Sequence, residues 1–525
     1  ILIYGDYDVD GTTSVALTYS VLRGYHDNIG YYIPDRYTEG YGISFEGIDF
    51  ANGNDYSLVI ALDCGIKANE KVAEAKSKGI DFIICDHHTP GEKLPEAVAV
   101  LDPKRADDEY PFTELSGCGV GFKFMQAFLQ GDKVAQEHET QFPRAEDNQL
   151  PQPLLDHLDL VCVSIASDIV PIVGENRTLA FYGLKRLNAA PSYGLQALIE
   201  IAGLEEQQIT ISDVVFKIGP RINAAGRIQK GIEAVRLLIS EGEEKARDWG
   251  DKIDDFNNER KNLDQEITHE ALHMIEDDPL TPYAKTTILA KDGWHKGVIG
   301  IVASRLIENY YRPTIIMTIM DGKATGSARS VDGFDLYAAI DSCSDLLESF
   351  GGHKYAAGLT MRLEKLEEFK KRFNAYVETH ITQEQLTPQI EIDEKLEFSQ
   401  ITPKFFRVLR QFAPFGPGNM SPVFMTEYVN DCGGSRVVGK TQEHLKLEMI
   451  NGKNPISGIA FGQARHVKVI KSGSPFRVCY AITENQFRGN VSMQLMVKDI
   501  KPQDDSASIE ELEAQKDSPG QWLDT

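Results

Sequence analysis

The chain has 525 residues, of which 42% are hydrophobic and 25% charged, and its formal net charge is −25 at pH 7. This length exceeds what one hydrophobic core supports and predicts several domains. The acidic balance argues against a surface that is basic overall, but it leaves room for a local basic groove, because phosphate binding depends on where Lys and Arg lie. No run approaches the roughly 18 apolar residues of a membrane span, so we expect no membrane partner.

Seven cysteines are scattered along the chain without the paired short spacing of a zinc site or a redox motif. They fit small buried side chains in a reducing compartment, and no signal segment opens the chain, so we expect a cytoplasmic location. The strand-like run "ILIY" begins at the first residue. We therefore expect further residues upstream in the natural protein.

Four short apolar runs near the start of the chain each end at an aspartate. They are "ILIYGD", "SLVIALD", "IDFIICD" and "AVAVLD", which end at Asp6, Asp63, Asp86 and Asp102. Continuous apolar runs separated by helical patterns such as 68–78 indicate an α/β fold with a buried parallel sheet. Sites in such sheets form outside the carboxyl ends of the strands, so these aspartates are predicted to converge on one crevice.

The segment "YGDYDVDG" places Asp6, Asp8 and Asp10 within five positions. Neighbouring carboxylates repel and raise one another's pKa, so the arrangement is costly unless a cation lies among them. A hard divalent metal ion is the obvious candidate. In "CDHHTP", His87 and His88 follow a strand end. One of them is suited to bind a metal while the other faces a substrate, and the alternative is that both are ordinary loop histidines.

The middle of the chain is predicted to be helical. Helical patterns occur at about 119–130, 157–167, 177–189 and 194–202. Residues 243–277 contain no Pro and one Gly, which predicts one long connecting helix.

A second α/β pattern follows the long helix. It comprises the strand "TTILAK", a helix in "GWHKGVIGIVASRL", the strand "PTIIMTIM", and helices near 335–348 and 364–379. From about 390 to 500, short alternating strands between Gly, Asn and Pro turns predict a small antiparallel barrel of the OB type.

These patterns divide the chain into five segments. We expect an α/β domain at 1–190, a helical connector at 191–280, a second α/β domain at 281–385, the OB-like barrel at 386–502, and an acidic, disordered tail at 503–525.

Several motifs resemble those of known families. "YGDYDVDG", "ALDCG", "CDHHTP" and "SIASDIVP", in this order, resemble the four motifs of the DHH phosphoesterase superfamily. "PDRYTEGYG", "PRINAAGR", "GSARS", "GGHKYAAGLTM" and "APFGPGNMSPVF" are similar to segments of the bacterial RecJ family of single-stranded-DNA exonucleases. The resemblance covers nearly the whole chain. It implies a DHH parallel-sheet domain joined by a long helix to a DHH-associated α/β domain, followed by an OB-like β-barrel.

The resemblance implies two divalent metal ions, Mn²⁺ or Mg²⁺. The implied ligands are Asp6, Asp8, Asp10, Asp63, His87 and Asp168. Asp63 would bridge the ions. Asp6 would either bind an ion directly or accept a hydrogen bond from one of the ligands. Oxygen ligands with an imidazole suit these ions, and two ions together activate water and stabilise the leaving oxygen of a phosphodiester. The implied catalytic residues are Asp63 and His88, the latter in contact with the scissile phosphate.

The resemblance also implies residues that hold the nucleic acid. Arg36, Ser327 and Arg329 are expected to hold its 5′ end. Gly352 and His353 lie in a Gly-rich turn of the kind that binds anions through backbone amides.

The segment "PRINAAGR" contributes a further set. Arg221, Asn223 and Arg227 would line the path of the strand, and the alternative is a helix turn with a purely structural role.

The implied function is a 5′-to-3′ exonuclease that degrades single-stranded DNA to 5′-mononucleotides in DNA repair and recombination. The implied partners are single-strand-binding protein and a RecQ-type helicase, and we expect a monomer. A cleft too narrow for a duplex would account for the selectivity for single strands. Two alternatives remain: a DHH-family phosphodiesterase acting on short oligonucleotides or cyclic dinucleotides, and a degenerate DHH replication scaffold that has lost its metal ligands.

Overall fold

The computed structural model describes residues 1–131, 150–487 and 490–503. The chain divides after Pro388 into two compact units. Within the described residues, no helix combines the length and the apolar character needed to cross a membrane. The predicted disordered tail lies outside the described residues from position 504 onward, and the four boundaries between the five predicted segments stay predictions.

The first unit begins with a five-stranded parallel sheet in the order β2-β1-β3-β4-β5. Its strands are β1 Leu2–Gly5, β2 Gly30–Tyr32, β3 Leu58–Leu62, β4 Asp81–Cys85 and β5 Ala99–Leu101. Side chains alternate between the two faces, so Ile3 packs into one buried cluster while Leu2 and Tyr4 pack into another. Both faces are therefore buried, which explains the continuous apolar runs and confirms the predicted parallel sheet.

Helices cover both faces of this sheet. They are α1 Val9–Leu22, α2 Phe45–Gly53, α3 Asn69–Ser77, α4 Gly117–Gln130, α5 Leu158–Ser167 and α6 Gly174–Ala189. The connector follows as α7 Tyr193–Ile201, a π-helical turn at Val214–Ile218, α8 Gly219–Ile228, α9 Ile232–Leu238 and α10 Glu243–Glu276. The 34 residues of α10 span about 50 Å at 1.5 Å per residue, which confirms the predicted long helix.

A second sheet completes the first unit, in the order β6-β7-β8-β10-β9. Its strands are β6 Thr287–Asp292, β7 Thr314–Met320, β8 Lys323–Arg329, β9 Ser349–His353 and β10 Ala356–Arg362. Only the β6–β7 pair within this sheet is parallel. Helices α11 Ile299–Asn309, α12 Leu336–Asp341 and α13 Leu366–His380 accompany it.

The helix predicted at 335–348 is wrong in its extent. α12 ends at Asp341, and a short 3₁₀ turn at Ser344–Leu346 follows it. The amide of Glu348 donates to the carbonyl of Thr360 at 2.8 Å. The backbone has therefore turned away from the helix to enter the β9–β10 ladder.

The second unit is a small barrel. Its strands are β11 Glu394–Lys395, β12 Phe424–Asp431, β13 Arg436–Val438, β14 His444–Asn451, β15 Asn454–Ala460, β16 Phe476–Phe487 and β17 Asn490–Pro502. Two short helices, α14 Pro403–Leu409 and α15 Val467–Lys471, accompany them. Pairing of β12 with both β16 and β14 closes a ring of five strands. The ring is antiparallel except where β15 meets β17, and it confirms the predicted OB-like barrel.

Candidate active site

The β1–α1 turn presents three aspartates at the carboxyl edge of the first sheet. Asp8 caps α1, and its Oδ1 accepts the amide of Gly11 at 3.0 Å. Asp10 lies in the first turn of α1 and is buried. Its carboxylate accepts the amides of Gly117 at 2.6 Å and Cys118 at 2.8 Å, together with the hydroxyl of Ser164 at 2.7 Å. The first turn of α4 thus fixes the orientation of Asp10.

Asp63 follows β3 in an unusual backbone conformation, with φ of +59°. Its amide donates to the carbonyl of Cys85 at 2.9 Å, which holds the turn in place. A Cβ atom at position 117 would lie 2.6 Å from Cβ of Asp63, so only glycine fits there. A left-handed aspartate pressed against a glycine is a strained arrangement of the kind found at functional sites.

His87 joins these carboxylates at their centre. Its Nε2 lies 3.1 Å from Oδ1 of Asp63, and 3.7 Å from Oδ2 of both Asp10 and Asp168. Its Nδ1 lies 3.0 Å from the carbonyl oxygen of Leu115. Because a carbonyl can only accept, Nδ1 carries the proton and the lone pair of Nε2 points at the carboxylates. Such a cluster is repulsive unless a cation lies within it.

We name the acidic cluster as Asp6, Asp8, Asp10, Asp63, His87 and Asp168. Burial, reinforced by the neighbouring carboxylates, raises the pKa of Asp6, Asp8 and Asp63, and raises the pKa of Asp168 to about 8. Oδ2 of Asp6 is buried and has no hydrogen-bond partner among the described residues. These side chains therefore fit hard divalent cations, which would neutralise the carboxylates.

The same conclusion follows from the distances between potential ligand atoms. In the described part of the chain, two groups of three side chains have such atoms within 4.8 Å of one another. One group is Asp10, His87 and Asp168, and the other is Asp63, His87 and His88. The two groups share His87, and because Nδ1 of His88 pairs with Asp86, the side chains best suited to hold ions here are Asp10, Asp63, His87 and Asp168.

His88 forms a dyad with Asp86, an aspartate that the sequence placed in the crevice without a chemical role. Nδ1 of His88 lies 2.8 Å from Oδ1 of Asp86, whose carboxylate also accepts the amides of His87 at 2.7 Å and Ile66 at 2.9 Å. Burial opposes ionisation of Asp86, but these donors outweigh it and lower its pKa to about 2. Burial likewise opposes protonation of His88, yet Asp86 raises its pKa. The one sequence signal for this role is that Asp86 directly precedes the histidine pair.

Tyr41 is a residue that the sequence analysis missed. Its hydroxyl lies 3.0 Å from Nε2 of His88 and 3.3 Å from the carbonyl of Asp63. The side chain is half exposed. Tyr41 therefore covers the free nitrogen of His88 at the mouth of the site.

Three arginines from distant parts of the chain interact electrostatically with one another, and two of them, Arg36 and Arg227, also interact with the acidic cluster. We name Arg36, Arg227 and Arg329 the arginine group. Arg36 lies over the ring of Tyr7, 4.7 Å from its centroid. Nη1 of Arg227 donates to the carbonyl of Gly297 at 3.1 Å, and Nη1 of Arg329 donates to Oγ of Ser327 at 3.0 Å.

Within the described residues, the arginine group has electrostatic neighbours but no ion pair. Burial and the other arginines lower the pKa of Arg227 to about 10, and burial with Arg36 lowers the pKa of Arg329. In the described part of the chain, no carboxylate forms an ion pair with any of the three. Asp8 and Arg227 nevertheless interact electrostatically, as do Asp6 and Arg36. Arginines that form no ion pair within the described residues, beside carboxylates suited to metal ions, fit a metal-bound phosphate.

The other predicted substrate residues lie in different settings. Arg221 forms an ion pair with Asp254 of α10 at 3.0 Å and donates to the carbonyl of Lys217 at 2.6 Å, so its side chain already has partners. Asn223 is half buried on α8.

Gly352 and His353 lie on β9, the exposed edge of the second sheet. His353 pairs with Ala356, which pairs with Arg329. Paired residues of an antiparallel sheet point to the same face, so His353 lies two strands from Arg329, roughly 10 Å along that face. Gly352 has φ of +144°, and a Cβ there would meet the backbone of β10.

Family comparisons agree with this architecture. A model described as the DHH family N-terminal domain matches residues 1–163, a DHHA1 domain model matches 281–379, and a RecJ OB domain model matches 392–499. The single-stranded-DNA-specific exonuclease RecJ of Salmonella typhimurium is 34% identical over 514 residues, which cover 96% of this chain and 87% of that protein. The chain belongs to the RecJ family. The RecJ of Bacillus subtilis is 35% identical over 503 residues, and the chain spans 61% of the length of that relative.

Two solved RecJ structures also match. RecJ of Thermus thermophilus in complex with Mn²⁺ superposes with a TM-score of 0.79 at 27% identity, covering 95% of this chain and 68% of that one. An exonuclease RecJ bound to manganese matches with a TM-score of 0.59 at 31% identity, covering 73% of this chain and 90% of that one. RecJ relatives thus share the fold in which the acidic cluster lies, and these two carry manganese.

Proposed function

We propose that this RecJ-family chain is a divalent-metal-dependent exonuclease. It degrades single-stranded DNA from the 5′ end to 5′-mononucleotides and acts in DNA repair and recombination. The observation that carries the proposal is that, within the first unit, the potential metal ligands of the acidic cluster interact with arginines, Asp6 with Arg36 and Asp8 with Arg227. Together they offer places for cations and for a phosphate of the substrate.

The acidic cluster supplies the ligands for two ions, Mn²⁺ or Mg²⁺. Asp8, Asp10, Asp63, His87 and Asp168 hold them, and the orphaned oxygen of Asp6 supports its inclusion. When bound, such ions activate water for attack on phosphorus and stabilise the leaving oxygen. Asp63, whose Oδ1 lies 3.1 Å from Nε2 of His87, would be a ligand shared by the two ions.

His88 contacts the scissile phosphate. Asp86 keeps Nδ1 of His88 protonated and favours the imidazolium form, so the ring offers a positive charge and a second N–H from Nε2. The hydroxyl of Tyr41 must give up its contact with Nε2 when the phosphate arrives. His88 then stabilises negative charge that develops on the phosphate oxygens in the transition state.

The arginine group and its neighbours set the register of the substrate. Arg36, Ser327 and Arg329 hold the 5′ terminal phosphate, which brings the first internucleotide phosphate to the acidic cluster. Gly352 and His353 extend the same sheet face.

The residues of α8 continue the path away from the 5′ end. Arg227 and Asn223 line the path of the DNA strand. Arg221 acts indirectly, because its ion pair with Asp254 holds α8 against α10. The barrel supplies a further single-strand-binding surface, in keeping with its match to the RecJ OB domain.

The alternatives receive less support. A phosphodiesterase for short oligonucleotides or cyclic dinucleotides has no evident use for a barrel matching the RecJ OB domain. A scaffold that had lost its metal ligands would not retain Asp10, Asp63 and Asp168 around Nε2 of His87.

We further propose that the chain acts in the cytoplasm with single-strand-binding protein and a RecQ-type helicase. The seven cysteines are all free, which supports a reducing compartment. A helicase test is direct: adding a RecQ-type helicase should extend digestion into a blunt duplex that the chain alone leaves intact. Equal resistance of the duplex with and without helicase would contradict the partnership.

The exonuclease proposal is tested with single strands labelled at one end or the other. In Mn²⁺, a 5′ label should appear at once in mononucleotides, whereas a 3′ label should stay in progressively shorter strands. A fully paired duplex of the same sequence is the control and should persist. Resistance of the single strand, or early release of the 3′ label, would overturn the proposal.

A further inference from the structure

The last turns of α10 carry two histidines that the proposed catalysis does not use. His269 and His273 lie in the string "HEALH", one helical turn apart. Their Nε2 atoms are 3.2 Å apart and their ring centroids 4.3 Å apart. Positions four residues apart share one face of a helix. Both rings reach solvent, and 44% of the side chain of His273 is exposed.

The distance between the two nitrogens matches a shared metal ion. Two imidazole ligands at about 2.0–2.1 Å from a tetrahedral ion lie roughly 3.3 Å apart. The pair therefore has the spacing of a chelate with no rearrangement of the helix. Imidazole nitrogen suits Zn²⁺, Ni²⁺ and Cu²⁺, whereas Mg²⁺ and Mn²⁺ favour oxygen ligands.

The surroundings of the pair are acidic. The two histidines line an open hollow of about 590 Å³ together with three carboxylates, Glu266, Glu270 and Asp292, and one cation, Lys291, which pairs with Glu270. Glu266 precedes His269 by one helical turn and so lies on the same face of α10. Carboxylates around the hollow favour a divalent cation over a neutral ligand.

The string also matches the HExxH pattern of zinc proteases, in which the glutamate is the general base. Here Glu270 accepts hydrogen bonds from Nζ of Lys291 and Nε1 of Trp294. Its carboxylate therefore anchors α10 to the second sheet and is not free to act as a base. Among the described residues, ready-made groups of three ligands occur around His87 and not around this pair. The pair therefore supplies two metal ligands but neither the third protein ligand nor the free general base of a zinc protease.

We propose that His269 and His273 bind one Zn²⁺-class transition-metal ion through their Nε2 atoms. The site is separate from the acidic cluster and differs from it in metal preference. Water completes the coordination, since no third side chain among the described residues lies ready in ligand range, and Glu266 supplies negative charge on the same helix face. Because the ion joins two successive turns, it stabilises the end of the helix that connects the two sheets.

Equilibrium dialysis of the full chain against Zn²⁺, in excess Mg²⁺, tests the proposal. His269→Ala and His273→Ala should each weaken zinc binding at this site by at least about tenfold, so that the parent chain's extra zinc equivalent is no longer bound at low zinc concentration. Removing a residue that only hydrogen-bonds to a metal ligand already costs this much affinity. His26→Ala removes another exposed histidine and is the matched control, which should bind as the parent chain does. Unchanged zinc binding in both alanine variants of the pair would overturn the proposal.

Two further measurements separate this site from the catalytic one and from a protease. A His87→Ala chain should retain the zinc equivalent at the pair, and its loss would mean that all bound zinc lies in the acidic cluster. Zinc-loaded chain should leave casein intact. Casein cleavage that disappears in Glu270→Gln would overturn the assignment of Glu270 as an anchor.

Discussion

Nδ1 of His88 lies 2.8 Å from Oδ1 of Asp86, and the backbone turn that holds Asp86 also holds His87 toward the carboxylates. The two neighbouring histidines therefore have opposite roles. His87 donates from Nδ1 to a backbone carbonyl, which leaves the lone pair of Nε2 free to bind a cation. His88 donates from Nδ1 to a carboxylate, which favours its positively charged form. One acidic residue behind the pair accounts for the difference.

Asp86→Asn should lower kcat by about 10- to 100-fold, in the range seen when a partner that orients a site histidine is removed. The pKa of His88 should also fall, because the amide does not favour the imidazolium. The loss of activity with rising pH should therefore begin at a lower pH in the variant. A pH profile of kcat measures both effects.

Asp81→Asn is the matched control, since Asp81 is exposed at the start of the same strand. It should leave the profile unchanged. A profile of Asp86→Asn that coincides with that of the parent chain would contradict the role of the dyad.

Asp63→Ala should abolish cleavage while keeping much of the binding to single-stranded DNA. The variant removes a metal ligand, and a bound metal ion stabilises the transition state by several kcal/mol. Losing that stabilisation lowers kcat by at least about 10³-fold. It leaves the arginine group and the barrel intact. Nuclease and binding assays run in parallel measure the two effects, with exposed Asp49→Ala as the control. Near-normal cleavage by Asp63→Ala would exclude its assignment as a bridging ligand.

Arg329→Ala should weaken the use of strands with a 5′ phosphate more than that of strands with a 5′ hydroxyl. Loss of a charge-assisted hydrogen bond costs about 1.5–3 kcal/mol, which raises KM for the phosphorylated strand by roughly 10- to 100-fold. Lys323→Ala, on the same strand but paired with Glu348, is the control. Equal losses on the two kinds of end would argue against a terminal phosphate site.

Protons should compete with metal at the acidic cluster. The pKa of Asp168 is about 8 and those of Asp6, Asp8 and Asp63 are also raised. A carboxyl whose pKa is higher in the folded state stabilises the fold at low pH, and this stability is lost as pH rises through the folded pKa. The metal-free chain should therefore lose stability toward about pH 8, where Mn²⁺ meets less competition.

Thermal unfolding with and without Mn²⁺ tests this expectation. The increase in Tm on adding Mn²⁺ should be larger at about pH 8 than at about pH 6. An increase that is equal at both values, or larger at the lower one, would be inconsistent with protonated carboxyls in the metal-free site.

Gly117→Ala should disturb the site without removing a polar group. The added Cβ would lie 2.6 Å from Cβ of Asp63, and relieving this overlap should cost about 1–3 kcal/mol of stability along with most of the activity. Gly131→Ala follows the other end of the same helix, where a Cβ meets nothing closer than 3.4 Å. Urea unfolding and nuclease assays of both variants provide the comparison, and equal behaviour would count against the strained turn.

The convergence of the aspartates was predictable from the sequence. Parallel strands end at a common edge, so runs that end at Asp6, Asp63 and Asp86 had to bring their carboxylates together. The long helix and the barrel were predictable for similar reasons, because periodicity of apolar residues is local information. The extent of α12 was not predictable, because the residues after it turn into a strand pairing with a distant segment, in which the amide of Glu348 donates to the carbonyl of Thr360.

The finer chemistry of the site depends on tertiary contacts that no local pattern carries. The role of Asp86 follows from a turn that aims its carboxylate at His88. The left-handed Asp63 fits only because α4 presents Gly117 to it. Tyr41 reaches His88 from a loop 47 positions earlier in the chain.

The central claim is that the acidic cluster holds a pair of divalent cations. Anomalous scattering from crystals of the chain soaked in Mn²⁺ tests it most directly. If the cluster holds two ions, two neighbouring manganese peaks should lie among Asp10, Asp63, His87 and Asp168. A map with no manganese peak among these four side chains would contradict it.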